Sequence, residues 1–312
     1  MPESPIRGHV LACFHDEWEV ALGSGEVIRA SVRARYFLGV SKDEKLLAPG
    51  DRVLVSHEPH GSWVIEEMLP RETALSRRLP GSRRPTGQVI IANAEQLVAV
   101  ISLERPRLNP RLLDRFLVIA EHAGLDSVVV LNKIDLVPED AWCAVAQIYR
   151  NVGYAVVPTC AVDGRGLRDL AEILRGRFSV LAGPSGAGKS SILNALSPGL
   201  GLKVDGVSEK TSKGKHTTTN VTIFRLADGA LVADTPGFRE LGFFRIAPEE
   251  LDGLFPEFAD LAPTCRFRGC GHGTEPGCAI KEALAAGRIN PERYASYLKL
   301  LEELRGHARG RE

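Results

Sequence analysis

Between residues 6 and 70 the apolar positions fall in short runs: HVLACF, EWEVAL, EVIRASVRA, DRVLVS and SWVIEEML. Glycine, proline and charged turns separate them, and helical periodicity is almost absent. Five short strands in so small a span predict a closed barrel of the OB type, with another small β-domain as the alternative. The pattern then changes. QLVAVISL, SVVVLN, YAVVPT and FSVLAG are apolar and strand-like, and they alternate with helical stretches. Such alternation predicts a mostly parallel sheet covered on both faces. One helix is well bounded: Asn109 can cap it, Pro110 suits its first turn and Gly124 closes it. Leu112, Leu113, Phe116, Leu117, Ala120 and Ala123 fall on one face between those signals. VTIFRLADGALVADTPG reads as a hairpin turning at Asp228-Gly229. Beyond about residue 241 a Cys/His cluster precedes a helical tail of mixed charge. The expectation is a multi-domain α/β chain: a barrel over 1–72, an α/β domain over 73–240, and a metal-binding helical module over 241–312.

Composition narrows this only in places. The 312 residues, 44% apolar and 25% charged, are ordinary for a globular chain of two or three domains. Lys plus Arg equals Asp plus Glu at 39 each, so the overall charge selects no partner. Locally, RETALSRRLPGSRR carries five Arg against one Glu, and KVDGVSEKTSKGKH four Lys against two acids. Those segments are either solvated surface or contacts for an anion. The start, MPESPIRGHV, has no apolar signal core, and no run reaches the length of a membrane span. A cytoplasmic protein without a membrane partner is expected. Cys13, Cys143 and Cys160 are scattered and read as small buried hydrophobes; Cys265, Cys270 and Cys278 are clustered.

Residues 183–190 fit G-x-x-x-x-G-K-[ST], directly after FSVLA and before the helical SSILNAL. That strand–loop–helix context belongs to a phosphate-binding loop. Gly183, Pro184, Ser185, Gly186, Ala187 and Gly188 would surround phosphates with backbone N–H groups, helped by the dipole of the helix that Ser191 enters. Lys189 would reach the β- and γ-phosphates and Ser190 would ligate magnesium. In ADTPG, Asp234 can hold magnesium through water and the Gly237 N–H can bond the γ-phosphate. In HTTT, beginning at His216, Thr218 and Thr219 are both candidates for a switch hydroxyl on magnesium.

SVVVLNKIDL supplies a base-reading loop. The Asp135 carboxylate can accept from guanine N1–H and from the exocyclic amine, a pairing adenine does not offer. Asn132 would tie this loop to the phosphate loop, and the Lys133 stem would cover the base. In PTCAVDGRGL, Cys160-Ala161 stands where Ser-Ala is usual, and the Ala161 N–H would bond guanine O6. The elements run base, base, phosphate, switch, switch. Independent accidents at each of them are far less plausible than one rearrangement, and a domain with neighbouring ends tolerates being cut and rejoined. A circularly permuted GTPase is the expectation.

Cys265-x4-Cys270-x-His272-x5-Cys278 offers three thiolates and an imidazole within fourteen residues. That is a complete tetrahedral set for one structural zinc ion, leaving no open position for catalysis. The loop is short and Gly-rich, and zinc could contribute on the order of 10 kcal/mol to ordering it.

Together QVIIANAEQLVAV, NKIDL, GPSGAGKSSILNAL, KGKHTTT, DTPGFRELG and CRFRGCGHGTEPGCAIKEAL, with GRINPERYASYLKLLEEL after them, resemble the circularly permuted GTPases of small-ribosomal-subunit biogenesis, the RsgA (YjeQ) family. The resemblance covers nearly the whole length. It implies GTP and GDP as ligands, magnesium, one zinc, a monomer, and binding to the small ribosomal subunit late in its maturation, with hydrolysis stimulated by that subunit. The barrel would contact ribosomal RNA, and Arg77, Arg78, Arg83 and Arg84 flank it. Where many GTPases place a water-orienting Gln, this chain has Phe238. A histidine further into the switch has been considered for that role in the family; Arg245 stands there in this chain, and His216 is a substitute candidate. Slow intrinsic turnover follows, as slow as about 10⁻⁴ s⁻¹ in unassisted GTPases. The segment after DTPG runs into the zinc module, so movement of the switch could be transmitted there. Three readings compete: a permuted GTPase for another RNA assembly such as the large subunit, a P-loop kinase-like enzyme, and a non-enzymatic zinc and RNA-binding protein.

Overall fold

The computed structural model describes residues 5–14, 17–33, 47–59, 61–78, 87–202, 221–226, 229–234 and 243–309. The described residues fall into two compact units, one from 1–95, 176–180 and 209–241, the other from 96–175, 181–208 and 242–312.

In the first unit, β1 (Ile6–Phe14), β2 (Glu17–Leu22), β3 (Val27–Val32), β4 (Arg52–His57) and β5 (Trp63–Met68) close into a barrel in the order β1-β2-β3-β5-β4. These are the five runs read from the sequence. The β3–β5 pair is parallel, whereas β1–β2, β2–β3, β4–β5 and β1–β4 are antiparallel. Period-two alternation sends Val10, Val20, Ile28, Ala30, Val53, Val55 and Ile65 inward as the core. Register shifts between Val10 and Ala12 and between Leu54 and Val55 bend the strands, as closure of so small a barrel requires. Cys13, expected to be buried, is half-buried on β1, in the stretch beyond the register shift that follows Val10.

A two-stranded ribbon follows, β6 (Ala74–Arg78) with β7 (Gly87–Ala92). The barrel is fastened to it by polar contacts. Fully buried Asp51 accepts from Arg71 Nε and Nη2 at 2.7 Å each, and Asn93 Nδ2 donates to the Gly50 carbonyl at 3.1 Å. Gly50, at φ +90, packs against the Ala92 carbonyl where a Cβ could not fit.

The α/β elements are β8 (Gln96–Ser102), α1 (Pro110–His122), β9 (Asp126–Asn132), α2 (Glu139–Arg150), β10 (Ala155–Thr159), α3 (Leu167–Leu174), β11 (Phe178–Ala182), α4 (Lys189–Leu196), β12 (Thr222–Arg225) and β13 (Leu231–Asp234). The sheet order is β10-β9-β8-β11-β13-β12. β8, β9 and β10 pair in parallel, and all seven residues of β8 are buried, as strands covered on both faces require. β12 and β13 form the predicted hairpin, with Gly229 at φ +87 in its turn; Asp228 lies outside the described residues.

The predicted caps of α1 are present. Asn109 Oδ1 accepts from the Leu112 N–H at 3.2 Å, Pro110 opens the helix, and Gly124 follows it at φ +69. Its buried surface is wider than one stripe. Asp114, Val118 and Ile119 are buried beside Leu113, Phe116, Leu117 and Ala120, while Leu112 and Ala123 are only half-buried. The cause is tertiary: α1 packs against β8 and also against the long final helix, α6 (Pro291–Arg309). Cys143 is likewise half-buried rather than buried, because α2 is a surface helix whose only buried residues are Ala146 and Tyr149. After β13 the described chain resumes at Phe243 as short 3-10 turns, Phe243–Arg245, Pro248–Glu250, Asp252–Leu254, Pro256–Phe258 and Ala262–Thr264. The cysteine loop, α5 (Ala279–Ala285) and α6 complete the chain.

Candidate nucleotide site and metal centre

The loop at 183–188 turns from β11 into α4, with Gly188 as the N-cap residue. Gly188 has φ +98, and a Cβ there would run into the Asn132 side-chain amide. That contact exists because Asn132, the last residue of β9, is buried and aimed at the phosphate-type loop. Its Nδ2 donates to the Ala187 carbonyl at 2.9 Å, and its Oδ1 accepts from Thr159 Oγ1 at 3.1 Å. Lys133, in the left-handed region at φ +62, donates from Nζ to the Gly186 carbonyl at 2.6 Å and to the Arg105 carbonyl at 2.5 Å. Two loops about fifty positions apart, in reversed order relative to a Ras-like chain, are therefore bonded side by side. Lys189 Nζ donates across the first turn to the carbonyls of Gly183 and Pro184 at 2.9 and 3.3 Å. Ser190 and Ser191 sit half-buried in the opening turn of α4, Pro184 is half-buried, and Ser185 and Gly186 are exposed.

Asp135 is exposed in the 3-10 turn Ile134–Leu136, and its carboxylate accepts a hydrogen bond from the Cys160 thiol. Burial raises the Cys160 pKa, so the sulfur stays protonated and acts as a donor. Ala161 follows, half-buried, and the loop is tied off by Arg165, whose N–H and Nε donate to Asp163 at 3.0 and 2.9 Å. The two base-type loops thus meet each other, and the first of them is bonded to the phosphate-type loop. Asp234 ends β13, half-buried, and Arg245 is exposed in the turn Phe243–Arg245. His216, Thr218, Thr219, Gly237 and Phe238 lie outside the described residues, as do Arg83, Arg84 and the side chain of Arg78; Arg77 Nη2 donates to Gln88 Oε1 at 3.2 Å.

The cysteine cluster assembles completely. One ligand atom each from Cys265, Cys270, His272 and Cys278 lies within 4.8 Å of every other. His272 Nδ1 is 3.5 Å from Cys265 Sγ and 3.4 Å from Cys278 Sγ, and those sulfurs are 3.9 Å apart. Zinc at about 2.3 Å from sulfur and about 2.0 Å from nitrogen would give tetrahedral edges of roughly 3.5 to 3.8 Å. The donor set and its spacing fit zinc. Burial pushes the Cys270 thiol up to about 11, so three thiolates at this spacing need a cation. His272, at φ +58, is held from several sides. Its Nε2 faces Asp252 Oδ2 at 3.3 Å, its carbonyl accepts from Tyr294 Oη at 2.6 Å, and Glu275 bridges the N–H groups of Gly271 and Gly273 at 3.0 and 2.8 Å.

Sequence reasoning passed over Thr159, Asp252, Glu275 and Arg293. Thr159 sits directly before Cys160 at a strand end, which was the available signal. Arg293 carried none. It is 2% exposed, donates to Asp114 at 2.7 Å and to Glu257 at 2.7 and 2.8 Å, and packs over Phe255 at 4.7 Å. Burial alone would lower its pKa; the charge of Asp114 and the hydrogen bonds of Glu257 outweigh that and raise it.

A phosphate-type loop locked to an Asn-Lys-x-Asp loop that precedes it in the chain defines a circularly permuted P-loop GTPase. Residues 68–244 match the family model described as RsgA GTPase. The chain is 43% identical over 293 residues to the Small ribosomal subunit biogenesis GTPase RsgA of Gemmatimonas aurantiaca, covering 93% of this chain and 95% of that protein. It is 40% identical to the protein of the same name from Moorella thermoacetica, with 90% and 91% covered. Among solved structures it is similar to YjeQ from Thermotoga maritima, with a TM-score of 0.80, 36% identity and 97% and 99% of the two chains covered. YloQ, described as a circularly permuted GTPase, gives a TM-score of 0.75 at 32% identity over 97% and 96%. The chain belongs to the RsgA GTPase family. Among the described residues no helix is long and apolar enough to cross a membrane.

Proposed function

We propose that this protein binds the small ribosomal subunit and its ribosomal RNA as a cytoplasmic monomer and assists late maturation by hydrolysing GTP to GDP and phosphate. The observation that carries the reading is the Asn132–Ala187 bond at 2.9 Å, with Lys133–Gly186 and Asp135–Cys160 beside it. These contacts support the reading because they hold the Asn132–Asp135 loop against the Gly183–Gly188 loop. Asp135 accepts from the guanine N1–H and amine, the Ala161 N–H binds O6, and the Lys133 stem covers the base. The backbone of Gly183 to Gly188 holds the phosphates, with Ser191 closing the first helical turn, and Lys189 transfers from its loop carbonyls to the β- and γ-phosphates. Magnesium would be held by Ser190, Thr218 or Thr219, and Asp234 through water; it neutralises charge developing on the transferred phosphoryl group. Gly237 bonds the γ-phosphate. His216 and Arg245 are the candidates for positioning the attacking water.

Turnover measured with GTP and ATP, with and without purified small subunits, tests the reading. GTP hydrolysis should be slow alone and rise with small subunits but not with large ones. ATP preference or indifference to subunits would overturn it. GTP should also favour the bound state and hydrolysis should release the protein. Equal subunit affinity with GDP and with a non-hydrolysable GTP analogue would end that part.

A further inference from the structure

The zinc loop presents an aromatic side chain to solvent. Phe267 is 46% exposed, and it is the aromatic member of the large apolar side chains exposed among the described residues. It stands between Arg266 and Arg268, both exposed, and the Arg266 guanidinium lies 5.5 Å from its ring centroid. A single exposed apolar residue is unremarkable by itself. Here three further features accompany it. The tripeptide lies between two metal ligands, Cys265 and Cys270, so its ends are fixed. The Arg266 N–H donates to the Gly277 carbonyl at 3.0 Å, and Gly277, at φ +67, sits so close to the Arg266 stem that a Cβ there would lie 3.1 Å from it. The stretch from Cys265 to Cys270 also holds two guanidinium groups and no carboxylate.

We propose that Arg266, Phe267 and Arg268 form a contact point for single-stranded RNA, in which the Phe267 ring stacks on an unpaired base and the two guanidinium groups hold the neighbouring phosphates. The proposal rests on the reading that the partner is the RNA of the small subunit. Aromatic and guanidinium planes are what splayed bases stack upon, and every base offers a π-face. A loop clamped at both ends presents those groups with little ordering left to do on binding. An apolar protein patch would use the ring but leave two cations to be desolvated without partners, so RNA is the better match.

The test uses the full-length, zinc-loaded protein bound to a non-hydrolysable GTP analogue. Its affinity is measured for purified small subunits and for a labelled single-stranded RNA oligonucleotide, across a salt series. Phe267→Ala should weaken both by about five- to a hundredfold, the range of one lost stack. Phe267→Trp should hold affinity, and Phe267→Leu should behave as Ala does. Arg266→Ala and Arg268→Ala should each lower the salt slope by about 0.7 to 1. Zinc content and subunit-free GTP turnover should match the parent in every variant. Parental affinity in Phe267→Ala overturns the proposal, and so does parental affinity in Phe267→Leu, which would point to an apolar protein contact. Failure of the parent protein to bind small subunits at all would overturn the underlying reading together with this one.

Discussion

Arg293 offers a quantitative test of how the final helix is held. Its guanidinium is 2% exposed and makes one bond to Asp114, which is fully buried, and two to Glu257, all at 2.7 to 2.8 Å. Burial raises the Asp114 pKa against the pull of Arg293. Arg293→Met keeps most of the stem but strands two carboxylates. Breaking a buried pair from one side costs about 3–5 kcal/mol, about a fifth or more of an ordinary domain's stability of roughly 5–15 kcal/mol. Asp114→Asn is milder, because Arg293 keeps both bonds to Glu257 and an amide oxygen can still accept. About 1–2 kcal/mol is expected there, one weakened hydrogen bond. Removing the charges together, in Arg293→Met/Asp114→Asn/Glu257→Gln, should recover about 2 kcal/mol relative to Arg293→Met alone. Urea unfolding followed by circular dichroism gives the energies, and hydrogen exchange of α6 shows where they act. Equal losses for the two single variants, or strict additivity in the triple, would refute the argument that an uncompensated buried charge dominates.

Asp135→Asn replaces a carboxylate proposed to accept two guanine hydrogen bonds, each worth about 1.5–3 kcal/mol to a charged group; a competition titration should show GTP binding at least about a hundredfold weaker while ATP binding is unchanged. Asp252→Asn removes the charge facing His272 Nε2 at 3.3 Å, and loss of such a partner should cost about ten- to a hundredfold in zinc affinity, read by chelator competition. Stripping zinc with a strong chelator should expose the 265–278 loop to proteolysis, since on the order of 10 kcal/mol of ordering goes with the ion; a loop equally protected without zinc would contradict a structural role.

The parts legible in the sequence were those written locally. The barrel strands alternate with period two, the helix beginning at Pro110 carries its own caps, and the G-x-x-x-x-G-K-S and Cys/His spacings are chemical signatures within fourteen residues. The parts missed depend on partners far along the chain. Arg293 and Asp114 are 179 positions apart, and each sits among charged or mixed neighbours that suggest an exposed face. Asp114 is buried because α6 covers the side of α1 that the sheet does not, and the period of α1 alone shows one face. Thr159 escaped notice because its role, holding Asn132 at 3.1 Å, exists only once β9 and β10 are paired. Burial of Cys13 and Cys143 was overestimated for the converse reason, since residue type was used where neighbours decide.

Permutation gives the chain after β13 an unusual job. Phe243 lies under the Arg115 guanidinium at 4.4 Å, and Arg115 in turn pairs with Glu303 of α6 at 2.7 Å. Nine residues on, Asp252 faces the candidate metal ligand His272, and five further Glu257 grips Arg293. The 243–258 segment is thus fastened to α1, to the metal loop and to α6 in turn. Coupling free energies between sites are typically about 1–3 kcal/mol, less than the roughly 3–5 kcal/mol needed to break the Arg293 pair alone. A switch movement, were it to reach Phe243, would therefore be expected to carry this segment as a unit and leave the Arg293 cluster intact. The segment, the metal loop and α6 are thus expected to respond as one body.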